Sequence, residues 1–170
     1  MGNHVIKSDN HFEFTFQGIG RLVIPRSSYE ALLPFRQIGN RMETGGILAG
    51  SCYSTDTWVL SHVMQPSPRD KAGRTWHKRD RRDAQKFVNK VFRKSGGLVN
   101  YVGEWHTHPE PHPQPSACDY QMIHDLLRTS RIEMDFLFGL VLGDECEFFV
   151  WCQKRTGVVA GFGSWGSFAD

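Results

Sequence analysis

Aromatic and polar residues alternate in the segment His11 to Gln17, with Phe12, Phe14 and Phe16 on one parity and Glu13 and Thr15 on the other. A period of two marks a strand with one buried face, because successive side chains leave a pleated strand on opposite sides. The run RLVIP after Gly20 continues the sheet. Ser27 followed by Glu30 has capping-box spacing and predicts a short helix limited by Pro34. GGILAG, after Glu43 and Thr44, and TWVLSHVMQP, Thr57 to Pro66, read as the next strands. Residues 66–78 are polar with Pro and Gly and read as a loop. From Asp80 the apolar positions are Ala84, Phe87, Val88, Val91 and Phe92, the stripe of an amphipathic helix that Gly96 and Gly97 end. LVNYVGEWHTH reads as a strand, a proline-rich turn follows, and a helix is expected from about Ser116 to Arg128. DFLFGLVLG and ECEFFVWC predict a hairpin joined around Gly143 and Asp144. The Gly-rich tail, 157–170, reads as either a last edge strand or a disordered segment. This order predicts an α/β fold of the α+β type: a mixed β-sheet flanked by about three helices.

At 170 residues and 39% hydrophobic content, the chain suits one domain with a real core. A net charge of +2 does not point to nucleic acid. The charge is uneven, since Arg69 to Lys94 holds 11 of the 20 Lys and Arg. That helix turns its apolar stripe to the core and mixes its basic residues with Asp80 and Asp83, so no nucleic-acid partner is expected. Cys52, Cys118, Cys146 and Cys152 form no C-x-x-C pair. The start MGNHVIKSDNHFEF has no apolar signal region, and Ile6 stands where N-myristoylation requires Ser or Thr. No apolar run is long enough to span a bilayer. Free thiols, a cytoplasmic location and no membrane partner are therefore expected.

The stretch GEWHTHPEPHPQPSACDY concentrates the candidate chemistry. His106 and His108 lie two apart, so a strand aims both imidazoles to one side. Asp119 lies in the first turn of the next predicted helix. Two neutral imidazoles and a carboxylate make three ligands and leave one coordination position open, as in catalytic zinc sites. Zinc there would lower the pKa of its water to about 7. A carboxylate near the metal but not bound to it would take the proton. Glu43 is the candidate, because Gly45 and Gly46 allow close backbone approach. Ser116 is placed to donate to the oxyanion.

Each feature also has a plainer explanation. An H-x-H in a strand is more often a pair of satisfied or exposed histidines. Ser116 and Asp119 match a capping box, and an Asp bound to metal has less freedom to reach the cap. Glu43 alone reads as a solvated turn residue. His112 and His124 read as surface residues, and the sequence assigns His62 and His77 no role.

Taken together, Glu43, His106-x-His108, seven intervening residues and Ser116-x-x-Asp119 resemble the JAMM metalloprotease motif, E…H-x-H-x7-S-x-x-D, in residue type and spacing. The contexts ETGGILAG and WHTHP are similar to that family as well, and the element order from Phe12 to Cys152 fits its MPN/JAB domain. The resemblance implies a cytidine-deaminase-like fold in a single JAB/MPN domain over residues 1–170, with its core at about 12–152. It implies a zinc isopeptidase or peptidase with one Zn2+ per chain, held by His106, His108 and Asp119. Glu43 would be general base and then proton donor, and Ser116 would stabilise the oxyanion. The small size resembles the prokaryotic JAB group, and within it the deconjugating peptidases of CBASS antiphage operons. Those imply ubiquitin-like or CD-NTase protein conjugates as substrates. The loop 66–78 could then guide a substrate tail, with Arg69, Lys71, Arg74 and Lys78 meeting an acidic surface and Trp76 as an apolar contact or a core residue. Two alternatives stay open: a non-catalytic MPN scaffold, and a JAMM peptidase acting on another small ubiquitin-like or sulfur-carrier protein. Amidohydrolase barrels also open on H-x-H but need about 250 residues.

Overall fold

The alternating aromatic segment lines the core. In the computed structural model, which describes residues 5–8 and 10–165, β1 (Val5–Ser8), β2 (His11–Phe16) and β3 (Gly20–Pro25) form an antiparallel meander. Phe12, Phe14 and Phe16 are buried, as their shared parity requires. α1 (Arg26–Leu32) follows directly and ends in a 3-10 turn, Leu33–Phe35, that contains Pro34.

The expected capping box of Ser27 and Glu30 does not form. The helix begins two residues earlier, with Pro25 at the cap position and no side-chain cap. The sheet holds this start instead, since the Arg26 N–H donates to the Asn10 carbonyl at 2.8 Å. Ser28, not Ser27, is buried and donates to the Leu60 carbonyl at 2.8 Å, while Glu30 pairs with Arg26.

β4 (Gly45–Ser54) and β5 (Thr57–Val63) pair antiparallel. The segment expected to be a loop contains a two-stranded ribbon, β6 (Lys71–Ala72) and β7 (His77–Lys78). Strands of two residues carry no periodicity that a sequence can display. α2 (Arg81–Lys94) is capped by Asp80, whose side chain accepts from the Arg82 and Asp83 N–H groups. It ends at Gly96 and Gly97, whose φ values of 66° and 88° favour glycine. Ala84 and Val91 are buried, but Phe92 is 45% exposed. It lies roughly 80° around the helix from Ala84, at 3.6 residues per turn, and so falls off the core-facing stripe. β8 (Asn100–Thr107), α3 (Ala117–Thr129), β9 (Phe136–Leu142), β10 (Phe148–Lys154) and β11 (Val159–Trp165) complete the chain. The Gly-rich tail thus supplies an edge strand, and 166–170 lie outside the described residues.

The main sheet runs β1-β2-β3-β5-β4-β8-β9-β10-β11. β3 with β5 and β8 with β9 are parallel pairs, which makes the sheet mixed. Joining parallel β8 and β9 requires a crossover, and α3 supplies it. The sheet curls until Trp165 of β11 reaches Phe12 of β2, with ring centroids 5.4 Å apart. The enclosed face buries Phe14, Phe16, Trp105, Phe138 and Phe148 together with Tyr29 and Leu32 of α1. On the opposite face Ile123 and Leu127 of α3 cover Leu137, Val141 and Trp151. Ala84 and Val91 of α2 cover Ile47 and Ala49. β9 is apolar throughout because both of its faces are buried. None of the four cysteines is in a disulfide. Among the described residues no helix is long and apolar enough to cross a membrane.

Candidate metal centre

β4 and β8 are antiparallel neighbours, with Gly45 opposite His106. The end of one strand therefore meets the start of the other, which brings Glu43 beside the histidines. Two hydrogen bonds extend the pairing past Gly45. Thr107 N–H donates to the Thr44 carbonyl at 2.9 Å, and Thr44 N–H donates to Thr107 Oγ1 at 3.1 Å. His108 lies one residue beyond β8, but its N–H donates to the Leu142 carbonyl at 2.9 Å and keeps it in line with His106.

The Nε2 atoms of His106 and His108 are 3.2 Å apart. Asp119 Oδ1 lies 3.0 Å from His106 Nε2, and Oδ2 lies 3.5 Å from His108 Nε2. The capping box also forms. Ser116 Oγ accepts the Asp119 N–H at 3.3 Å, and Asp119 Oδ2 accepts the Ser116 N–H at 2.6 Å. Asp119 takes part in the capping box while its carboxylate lies beside both histidines. A third-position carboxylate in a capped helix turns back over the helix start, and β8 delivers both imidazoles to that side. The Ser116 hydroxyl acts as an acceptor in the cap, which leaves its proton for another partner.

Electrostatics sort the groups. Burial lowers the His108 pKa and the neighbouring His106 adds to the effect, favouring the neutral imidazole that a metal requires. Burial alone would raise the Asp119 carboxyl. The hydrogen bond and charge of His106, with help from Ser116, outweigh it and hold Asp119 at about 2. Burial pushes Glu43 up to about 7, with His106 pulling it down and Asp119 pushing it further up.

The donor atoms of His106, His108 and Asp119 all lie within 4.8 Å of one another. Among the described residues no fourth His, Cys, Asp or Glu joins this group. Three lone-pair donors facing one point fit a divalent cation, and two imidazoles with one carboxylate suit zinc with a position left open. Glu43 stands outside the group yet within electrostatic reach of His106 and Asp119.

Among the described residues the other histidines stay apart from it. His112 is exposed and 2.7 Å from Glu147, His124 lies 3.8 Å from Asp125, and exposed His62 contacts Ser61. His77 is different. It is half-buried 3.2 Å from Asp70, and its Nδ1 faces β4. The ribbon brings it there, and nothing local in the sequence marks it. The ribbon tip also reaches the site, because the Gly73 carbonyl accepts the Glu43 N–H at 2.8 Å. Trp76 at this tip is 52% exposed, so it is not a core residue. Two of the four expected partner-facing cations are engaged within the chain: Arg69 on Asp83 and Arg74 on Asn40. Lys71 and Lys78 face each other across the ribbon and are exposed. Arg79, which the sequence does not single out, grips the buried Glu104 at 2.8 Å.

Gly45 has no room for a side chain. A Cβ there would fall 2.4 Å from the Trp105 carbonyl oxygen and 3.1 Å from both His106 Cβ and His77 Nδ1. We predict that Gly45→Ala lowers stability by about 1–3 kcal/mol through overpacking. Urea titration checks this, and an unchanged midpoint would contradict it.

Comparison with known proteins identifies the family and supports the fold. A family model described as prokaryotic homologs of the JAB domain matches residues 25–153. A CD-NTase/cGAS isopeptidase of Escherichia coli is 40% identical over 77 residues, 45% of this chain and 49% of that protein. One of Enterobacter hormaechei is 36% identical over 138 residues, 78% of this chain and 74% of its own. Across several of these curated relatives the chain spans about half their length. The solution structure of a Desulfitobacterium hafniense protein superposes with a TM-score of 0.55 at 19% identity, covering 84% of this chain and 88% of that one, which supports the fold. With the family model matching residues 25–153, most of its length, this chain belongs to the prokaryotic homologs of the JAB domain.

Proposed function

We propose that this chain is a JAMM-type zinc isopeptidase that releases CD-NTase or ubiquitin-like C-termini from conjugated proteins in bacterial antiphage defence of the CBASS kind. The observation that carries the reading is the convergence of His106, His108 and Asp119, with Glu43 at its side. Nε2 of each histidine and the Asp119 carboxylate would hold the ion. When bound, zinc supplies a water acidified to a pKa of about 7 and a Lewis acid for the scissile carbonyl. The Glu43 carboxylate takes the proton of the attacking water and passes it to the leaving amine. The Ser116 hydroxyl donates to the carbonyl oxygen as it becomes negative. The names of the relatives supply the substrate class.

The ribbon tip supports a path for an extended tail. Trp76 is 52% exposed and Met42, next to Glu43, is 61% exposed. Large apolar side chains at the mouth of a site make favourable contacts with a peptide. We predict that Trp76→Ala raises KM roughly 10-fold with little change in kcat, as loss of uniform binding requires. A fall in kcat at constant KM would remove Trp76 from substrate binding.

The activity is tested by incubating the protein with a CD-NTase joined to a lysine side chain and with a linear ubiquitin-like fusion. Mass spectrometry identifies the bond cut. Cleavage of the lysine-linked conjugate, blocked by chelator and restored by zinc, is expected. Uncut substrates in the presence of fully zinc-loaded protein would refute the assignment.

A further inference from the structure

Gln37 is 1% exposed, and the chemistry above makes no use of it. It lies in the irregular stretch between the 3-10 turn and β4. Its Nε2 donates to the Arg74 carbonyl at 2.8 Å and to the Arg41 carbonyl at 3.3 Å. Its Oε1 accepts from the Thr107 hydroxyl at 3.3 Å. That hydroxyl stands between the two histidines in sequence and itself accepts the Thr44 N–H at 3.1 Å. The Glu43 N–H donates to Gly73, the residue before Arg74.

One buried amide therefore ties together three segments distant in sequence. These are the stretch that carries Glu43, the ribbon tip, and the end of β8. A catalytic base has to be held within a fraction of an ångström. Residues 41–44 have no helix or strand geometry to hold them, Arg41 and Met42 are exposed, and Glu43 and Thr44 are half-buried. Hydrogen bonds supply much of what holds them: this set, together with the bond from the Thr107 N–H to the Thr44 carbonyl.

We infer that Gln37 is a positioning residue that sets Glu43 against the histidine-bearing end of β8, through Thr107 and through the ribbon tip. The kinetic part of this inference rests on the proposed peptidase activity. The structural part does not.

The test compares Gln37→Met, which keeps volume and removes the amide, with Thr107→Val and Thr107→Ser. On a ubiquitin-like fusion, zinc-loaded Gln37→Met and Thr107→Val are expected to lose about 10–100-fold in kcat, with KM and zinc content unchanged. Thr107→Ser, which keeps the hydroxyl, recovers most of the rate that Thr107→Val loses. Amide hydrogen exchange gives a readout without activity. Gln37→Met is expected to lose protection at Glu43 and Thr44 while β9 and β10 stay protected. Retained protection at those two amides overturns the inference, whatever the rate does. So does lost protection with kcat unchanged, and so does loss of protection throughout the sheet, which marks a general structural role. Thr107→Val cuts the same bridge from its other end; because it also removes the Thr44 N–H acceptor, its exchange is read at Glu43, where retained protection overturns the inference even if Gln37→Met does not fold. If the wild-type protein cuts no conjugate, the proposed activity is what fails, and the exchange data still decide whether Gln37 holds Glu43.

Discussion

Glu43→Gln is expected to lower kcat about 1,000-fold while zinc content and KM stay near wild type, which lies within the usual range for a lost general base. Glutamine keeps the shape and the partial burial of Glu43 but cannot accept a proton. It also stands outside the group of converging donor atoms, so the ion should remain. Elemental analysis alongside steady-state kinetics checks both halves, and a variant with wild-type turnover would remove Glu43 as base. A second signature needs neither metal nor substrate. Burial raises the Glu43 pKa from its ordinary 4.5 to about 7. Between those values the folded metal-free protein keeps a proton that the unfolded chain has released. Ionised Glu43 therefore costs stability, fully above pH 7 and not at all below about 4.5. The stability of metal-free Glu43→Gln relative to wild type should rise across that window and then level off. Denaturant titrations at pH 5 and pH 8 measure it, and a difference equal at both would place Glu43 in bulk solvent.

His106→Ala and Asp119→Ala are both expected to lose zinc and all measurable cleavage, because each removes one of the three donors that converge among the described residues. Full zinc stoichiometry in either variant would make the ligand assignment wrong. The two should differ when metal-free. Asp119 also accepts the Ser116 N–H, so its removal breaks a capping box at the start of α3 and costs about 1 kcal/mol. His106 has no part in that cap. The Asp119 pKa is held at about 2, below its ordinary 3.8. Its charge therefore contributes stability above pH 3.8, and that contribution is lost as the pH falls towards 2. The gap between wild type and Asp119→Ala should narrow over that acidic range. Thermal or urea unfolding of the two metal-free variants at pH 7 and pH 3 would reveal it.

Much of this was legible along the chain. The aromatic parity of β2 and the stripe of α2 each depend on residues a few positions apart, and the structure contains them. The spacing of His106, His108 and Asp119 likewise places three donors on neighbouring elements, a strand end and the helix that follows. Local patterns also misled where the sheet supplied what they promised. α1 starts at the end of β3 without the hydroxyl of Ser27, and Phe92 falls just off its helix stripe.

What the chain determined by itself was most of the longer strands and helices and the identity of the groups able to hold a cation, since periodicity and capping act between near neighbours. The tertiary structure alone decided that Glu43 stands at the cation group, that Asp119 serves cap and cluster together, and that Arg69 pairs with Asp83 and Arg74 with Asn40. It also decided that Gln37 bonds to residues 37 and 70 positions away. Contacts of that kind depend on which strands lie side by side and at what register, and hydrophobic spacing along one segment carries no record of either.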